Sequence, residues 1–155
     1  MRLTMTLIAA AAACALVGGK ALAAGSGFSP ADTAALKAYV LTTDKVQRYG
    51  AALQMMRKDQ AAHPELRKEE EVADDEPGRT LADLLAKLKR HPQLAAYYHK
   101  AGLSDLDAVM VPIVSMNAAV AAQMPAAAAK LPVTPAQIEF AKAHGKELAA
   151  MKGGG

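Results

Sequence analysis

The chain has no tryptophan, only two phenylalanines and four tyrosines among its 155 residues, and a single cysteine. Aromatic and β-branched side chains favour strands and alanine favours helix, so this alanine-rich composition argues against a β-sandwich or barrel. One cysteine excludes a disulfide within the chain. No charge of one sign dominates either, with 18 basic and 15 acidic side chains and a net charge of +3. The length suits one domain and leaves no room for two full cores.

The lone Cys14 falls in an N-terminal stretch with its own logic. Arg2 comes first, Leu3 to Val17 is apolar, and small residues follow up to Ala21-Leu22-Ala23. That order is the pattern of an export signal, with cleavage expected after Ala23 or one residue later, after Ala24. A retained membrane anchor would need about 20 strongly apolar residues, more than this alanine-rich stretch supplies. A lipoprotein signal acylated at Cys14 is the alternative, but Ala11 stands where a larger aliphatic residue is usual, and apolar residues continue past the cysteine. Loss of residues 1–23 removes Arg2 and Lys20, so the 18 basic side chains fall to 16 against 15 acidic ones. The remaining chain is near neutral and has no cysteine. Its charge points to no nucleic-acid partner, and it has no thiolate for a metal or for C-x-x-C-H haem attachment. The expected location is the periplasm or the medium.

The remainder predicts an all-α fold: a small bundle of four to five short helices over residues 42–152, preceded by a flexible lead-in over 24–41. Within the lead-in, Ser29-Pro30-Ala31-Asp32 has the residues of a short helix start. A helix from Thr42 or Thr43 places Val46, Tyr49, Leu53 and Met56 on one face. His63-Pro64 interrupts it, a polar helical piece follows over Glu65 to Val72, and Asp74-Asp75-Glu76-Pro77-Gly78 is a loop by composition. Thr80 with Asp83 opens a helix with Leu81, Leu84, Leu85 and Leu88 on its apolar face. His91-Pro92 restarts the chain, Leu94, Tyr97, Tyr98 and Ala101 form the next stripe, and Gly102 suits the left-handed position after a helix end. Ser104 with Asp107 caps the next helix.

Residues 108–129 carry no charge. A membrane span would have to accommodate Pro112, Ser115, Asn117, Gln123 and Pro125. Leu106, Met110, Ile113, Asn117, Val120 and Met124 instead follow the 4-3 spacing of a packed seam, so a central buried helix is expected, with Pro112 kinking it or splitting it. After a connector over 126–132, Thr134-Pro135-Ala136-Gln137 starts a last helix with Ile138, Ala141, Gly145 and Leu148 on one face. Close approach of another helix would explain Gly145.

Chemistry-bearing patterns are few. The acidic run Glu69 to Glu76 lacks the alternating ligands and central glycine of a calcium loop and suits a solvated segment. His63, His91, His99 and His144 lack H-E-x-x-H spacing, and two of them precede prolines at ordinary surface breaks. No G-x-S-x-G turn or phosphate-cradling glycine loop occurs. Lys87, Lys89, Arg90 and Lys100 lie near Tyr97 and Tyr98, where core packing of the tyrosines beneath a solvated basic face competes with nucleic-acid binding. No catalytic residue, metal ligand or cofactor site is assigned. Asn117 is the one candidate ligand or register residue.

Leu41-Thr42-Thr43-Asp44-Lys45-Val46-Gln47-Arg48-Tyr49, Ala101-Gly102-Leu103-Ser104 and Pro135-Ala136-Gln137-Ile138-Glu139-Phe140, with His144 following, together resemble a family of uncharacterised exported bacterial α-helical proteins. The resemblance covers roughly residues 41–150. It implies export and an all-α fold, and brings no catalytic residue, cofactor or substrate. Pro112 and the acidic run depart from its pattern. Val133-Thr134-Pro135-Ala136-Gln137 is also similar to the L-T-x-x-Q motif of Spy and CpxP-type periplasmic chaperones, with Val in place of Leu. The expected role is therefore non-enzymatic: an exported protein that binds a protein partner or the cell envelope and is not integral to the membrane after processing. The alternatives are a carrier of a small apolar ligand between helices, centred on Asn117, and a Spy-like chaperone.

Overall fold

Helix-start chemistry sets most of the architecture. The computed structural model describes residues 28–75 and 78–152. The proposed signal with Ala23 and Ala24, Cys14, the Gly-Ser-Gly lead-in, Glu76-Pro77 of the acidic run and the terminal glycines lie outside them. The described residues form nine helices and no strand: α1 (Pro30–Ala38), α2 (Thr43–Ala62), α3 (Pro64–Asp75), α4 (Leu81–Arg90), α5 (Pro92–Lys100), α6 (Asp105–Gln123), α7 (Pro125–Ala128), α8 (Pro135–Ala143) and α9 (Gly145–Lys152). The all-α class stands, and the expected count of four to five is corrected to nine. The extra pieces come from short breaks that need almost no loop.

Five hydroxyl caps open helices where expected. Ser29, Thr42, Thr80, Ser104 and Thr134 each accept a hydrogen bond from the backbone N–H three residues on. In four of them the third residue returns the bond, through Asp32, Asp83, Asp107 and Gln137, so two otherwise unmet donors are satisfied together. His63, His91 and Met124 mark a second kind of junction. Each precedes a proline and leaves helical geometry, with φ near −120° and ψ between 68° and 82°. The proline ring crowds an α conformation at the residue before it, so the helix stops there and restarts on the proline itself.

Gly102 ends α5 with φ +80°. The Leu103 N–H reaches the Tyr98 carbonyl and the Gly102 N–H the His99 carbonyl, both at 2.9 Å, which closes the last turn as a Schellman motif. The expected loop at Asp74-Asp75 is corrected: α3 runs through Asp75. Part of the 126–132 connector is the short helix α7.

The bundle is organised around α6. It runs unbroken through Pro112, so of the kink or split expected at that residue the split does not occur. It contacts α2, α4, α5, α7, α8 and α9. Ala108 to Ser115 are all buried in sequence, so the helix is enclosed all round where a single seam was expected. The seam pattern fails at its two ends, Leu106 (47% exposed) and Met124 (59%). By length and hydropathy α6 passes for a membrane span, but 61% of that stretch is buried inside the protein, as in a core helix. Val46, Tyr49, Leu53, Met56, Leu81, Leu84, Leu88, Leu94 and Tyr98 converge on the same core.

Two expectations fail at glycine and histidine. The last helix is interrupted at His144, and Gly145 begins α9 with nothing beyond its chain neighbours and its own helix within 4 Å of where a Cβ would lie. No helix approaches it, so the close-packing explanation is withdrawn. His91 was placed at a surface break but is buried, at 7% exposure.

Candidate functional site

Two polar clusters, the first half-buried and the second deeper, join helices that are distant in sequence. The first gathers at the end of α1. The Tyr39 hydroxyl donates to Asp107 Oδ1 at 2.6 Å, and Lys45 Nζ lies 3.0 Å from the same oxygen. Lys45 Nζ also sits 4.3 Å above the Tyr39 ring centre, in cation–π geometry. The other Asp107 oxygen accepts from the Ser104 hydroxyl and backbone N–H as part of the α6 cap. One carboxylate thus holds α1, α2 and the start of α6.

Burial alone would raise the Asp107 pKa, but the hydrogen bonds from Tyr39 and Ser104 and the charge of Lys45 outweigh it and hold the acid at about 2. Burial and the adjacent carboxylate push the Tyr39 phenol well above its usual range. A general acid or base works best with a pKa near the operating pH, and these two are driven away from neutrality in opposite directions. The arrangement is a lock between helices.

Gln137 completes that corner. Its Oε1 accepts from the Thr134 backbone N–H at 2.9 Å, while Nε2 donates to the Leu36 and Tyr39 carbonyls at 2.8 and 2.9 Å. One buried side chain therefore caps the start of α8 and the end of α1, where the last carbonyls lack intrahelical partners. Arg48 makes a smaller bridge, from Nη1 to the Gly102 carbonyl at 3.2 Å.

The second cluster lies where α2, α3, α4 and α5 meet. Lys87 is buried on α4, at 1% exposure, and His91 follows it one turn later on the same side. His91 Nδ1 lies 3.7 Å from Glu69 Oε1, and Gln60 of α2 donates to the Glu70 carboxylate. The Tyr97 hydroxyl donates to Asp59 at 2.9 Å; burial first, then that carboxylate, raises the phenol's pKa. Tyr49 and Tyr98 stack with ring centres 5.4 Å apart.

These positions correct the expected basic face. Lys87 belongs to the interior, whereas Lys89, Arg90 and Lys100 are exposed, Lys100 lying 5.4 Å from the Tyr97 ring centre. Tyr97 and Tyr98 pack in the core as the stripe required. The acidic run is divided: Glu69 and Glu70 are half-buried against neighbouring helices, and Glu71 faces solvent. The four histidines each lie beside a carboxylate: Glu65 for His63, Glu69 for His91, Asp105 for His99 and Glu147 for His144. Among the described residues no group of three His, Cys, Asp or Glu side chains is placed to hold a metal ion.

Asn117 is buried in α6 at 5% exposure. Among the described residues, no side-chain hydrogen bond brings another candidate residue to it. Two residues earlier on the same helix is Ser115, whose Oγ is buried without a hydrogen-bond partner. Gln137 and Asp107 were legible as local helix-start signals; Tyr39, Lys45 and the convergence of the four were not.

The chain matches no family model, no curated protein and no solved structure.

Proposed function

We propose that this is an exported, non-enzymatic helical protein that binds a protein partner or the cell envelope. The observation that carries the export half is the order Arg2, apolar 3–17, Ala21-Leu22-Ala23, which a signal peptidase would cut before Ala24. The binding half draws support from how the polar groups are used. Tyr39, Asp107, Lys45 and Gln137 are occupied in joining helices, and the residues beside the Tyr39–Asp107 bond, Val40 (68% exposed) and Leu106 (47%), present apolar side chains to solvent.

Native mass spectrometry of the protein from its host's envelope fraction tests this reading. The expected result is a chain starting at Ala24, carrying a non-covalently bound protein. A full-length chain starting at Met1 and confined to the cytosol would overturn the export half. Lipid on Cys14 would replace the free protein with an anchored one, and a small-molecule adduct would favour a carrier.

A Spy-like chaperone is the second reading. It is supported by the Val133–Gln137 segment, whose Thr and Gln form a capping box. Aggregation of a denatured client, followed by light scattering, should be suppressed at equimolar protein under this reading; unchanged aggregation removes it.

A further inference from the structure

Beyond Cys14 the chain has no thiol, so its remaining sulfur chemistry is that of methionine. Six methionines lie among the described residues, and the fold treats them unequally. Met56 and Met110 are sealed in the core, at 1% and 2% exposure. Met55 and Met151 pack half-buried against that core, and Met116 is half-buried on α6. Met124 stands apart at 59%. It forms the elbow between α6 and α7, and its backbone alone makes the turn. The Met124 N–H donates to the Val120 carbonyl and its carbonyl accepts from the Ala127 N–H, both at 2.8 Å. Its side chain takes no part in capping α7, and Pro125 and Ala126 beside it are exposed as well.

We propose that Met124 is a modification site, the thioether at which hydrogen peroxide oxidises the folded protein to methionine sulfoxide, and that the fold accepts the change. Oxidation of a thioether follows its access to the oxidant, which the fold grants at Met124 and withholds at Met56 and Met110. A lone pair on Sδ attacks one peroxide oxygen and the O–O bond breaks. The departing hydroxide takes the proton left on the transferred oxygen and leaves as water, so sulfur is oxidised and peroxide reduced. The product carries a strong hydrogen-bond acceptor where an apolar tip stood. In the core that oxygen would face apolar neighbours, whereas at the elbow it meets water and disturbs neither backbone bond of the turn. A methionine sulfoxide reductase supplied with a thiol reductant restores the thioether.

Timed exposure of the whole folded protein to hydrogen peroxide, with each added oxygen located by tandem mass spectrometry, tests both parts. Met124 should gain oxygen before the other five, about tenfold or more faster than Met56 and Met110. In denaturing urea the six should react at similar rates, because the preference comes from the fold. The protein oxidised at Met124 alone should melt at the temperature of the untreated protein. Met124→Leu, which keeps the side chain's apolar bulk, should also melt there and lose the earliest oxidation. First reaction at Met55, Met116 or Met151, or a preference that survives in urea, would overturn the assignment of the site. A lowered melting temperature after oxidation at Met124 alone would overturn the claim that the fold accepts it.

Discussion

Tyr39 and Asp107 are 68 residues apart in sequence and share a 2.6 Å hydrogen bond, on an oxygen that Lys45 also holds at 3.0 Å. The bond joins the end of α1 to the first turn of α6, and the carboxylate serves there as both helix cap and tether.

That dual use makes stability depend on acid in a defined direction. Asp107 is held at about 2 in the folded protein, against about 3.9 for a free aspartate. A depressed carboxyl contributes stability that is fully present above its unfolded pKa and lost as pH falls through its folded one. Urea unfolding of wild type and Asp107→Asn should differ by about 1 to 2 kcal/mol at pH 7 and pH 5, after discounting for solvent screening. The difference should close between pH 4 and pH 2. A gap that persists unchanged at pH 2 would mean that the charge of Asp107 does not support the fold.

Gln137 is expected to resist even its nearest substitute. Glutamate keeps the capping acceptor but cannot donate to the Leu36 and Tyr39 carbonyls, and it brings a charge into a site with 4% exposure. Gln137→Glu should cost about 2 to 4 kcal/mol, and Thr134→Ala, which removes the cap alone, about 1 kcal/mol. Chemical denaturation midpoints would rank the two. Equal losses would show that the bridge to α1 contributes nothing beyond the cap.

Two glycines should respond oppositely to alanine. At Gly102 the backbone is left-handed and a Cβ would strike the Arg48 guanidinium, so Gly102→Ala should lose about 1 to 2 kcal/mol. Gly145 has ordinary backbone and open space, so Gly145→Ala should gain about 0.5 to 1 kcal/mol. Thermal melts of the two variants on either side of wild type would agree; a loss at Gly145 would reveal a contact made at that position.

Asn117→Leu separates a structural role from a ligand-binding one. In an interior of alanine, valine and isoleucine, replacing a buried amide with an apolar side chain of similar length should leave stability equal or higher. A fall of more than about 2 kcal/mol, beyond what a volume change explains, would mean the amide has a polar partner.

Local chemistry was the legible part of this sequence. The caps at Ser29, Thr42, Thr80, Ser104 and Thr134 and the left-handed Gly102 could be found because each involves residues within one helical turn. The burial of Val46, Tyr49, Leu53 and Met56 followed from spacing. His91 could have been found as well, since it continues the 3-4-3 spacing of Leu81, Leu84 and Leu88, but the proline after it suggested a surface break. Lys87 sits beside that same stripe, and its long aliphatic stem lets a charged residue share an apolar face. The lock of Tyr39, Lys45, Asp107 and Gln137 was beyond reach, because no periodicity relates α1 to α8. Gly145 misled because its cost within a helix was assumed to need a partner, whereas the helix simply begins there.

The span between Leu36 and Gln137 has a consequence for synthesis. Their hydrogen bond closes across 101 residues. A chain that emerges amino end first from a ribosome presents α1 long before α8 exists to receive it. Tyr39 can meet Asp107 once α6 has begun, but the Leu36 and Tyr39 carbonyls must wait for Gln137 until almost the whole chain has appeared, and non-local closures of this kind form slowly. The corner that joins α1 to α8 therefore closes only when the last quarter of the chain arrives.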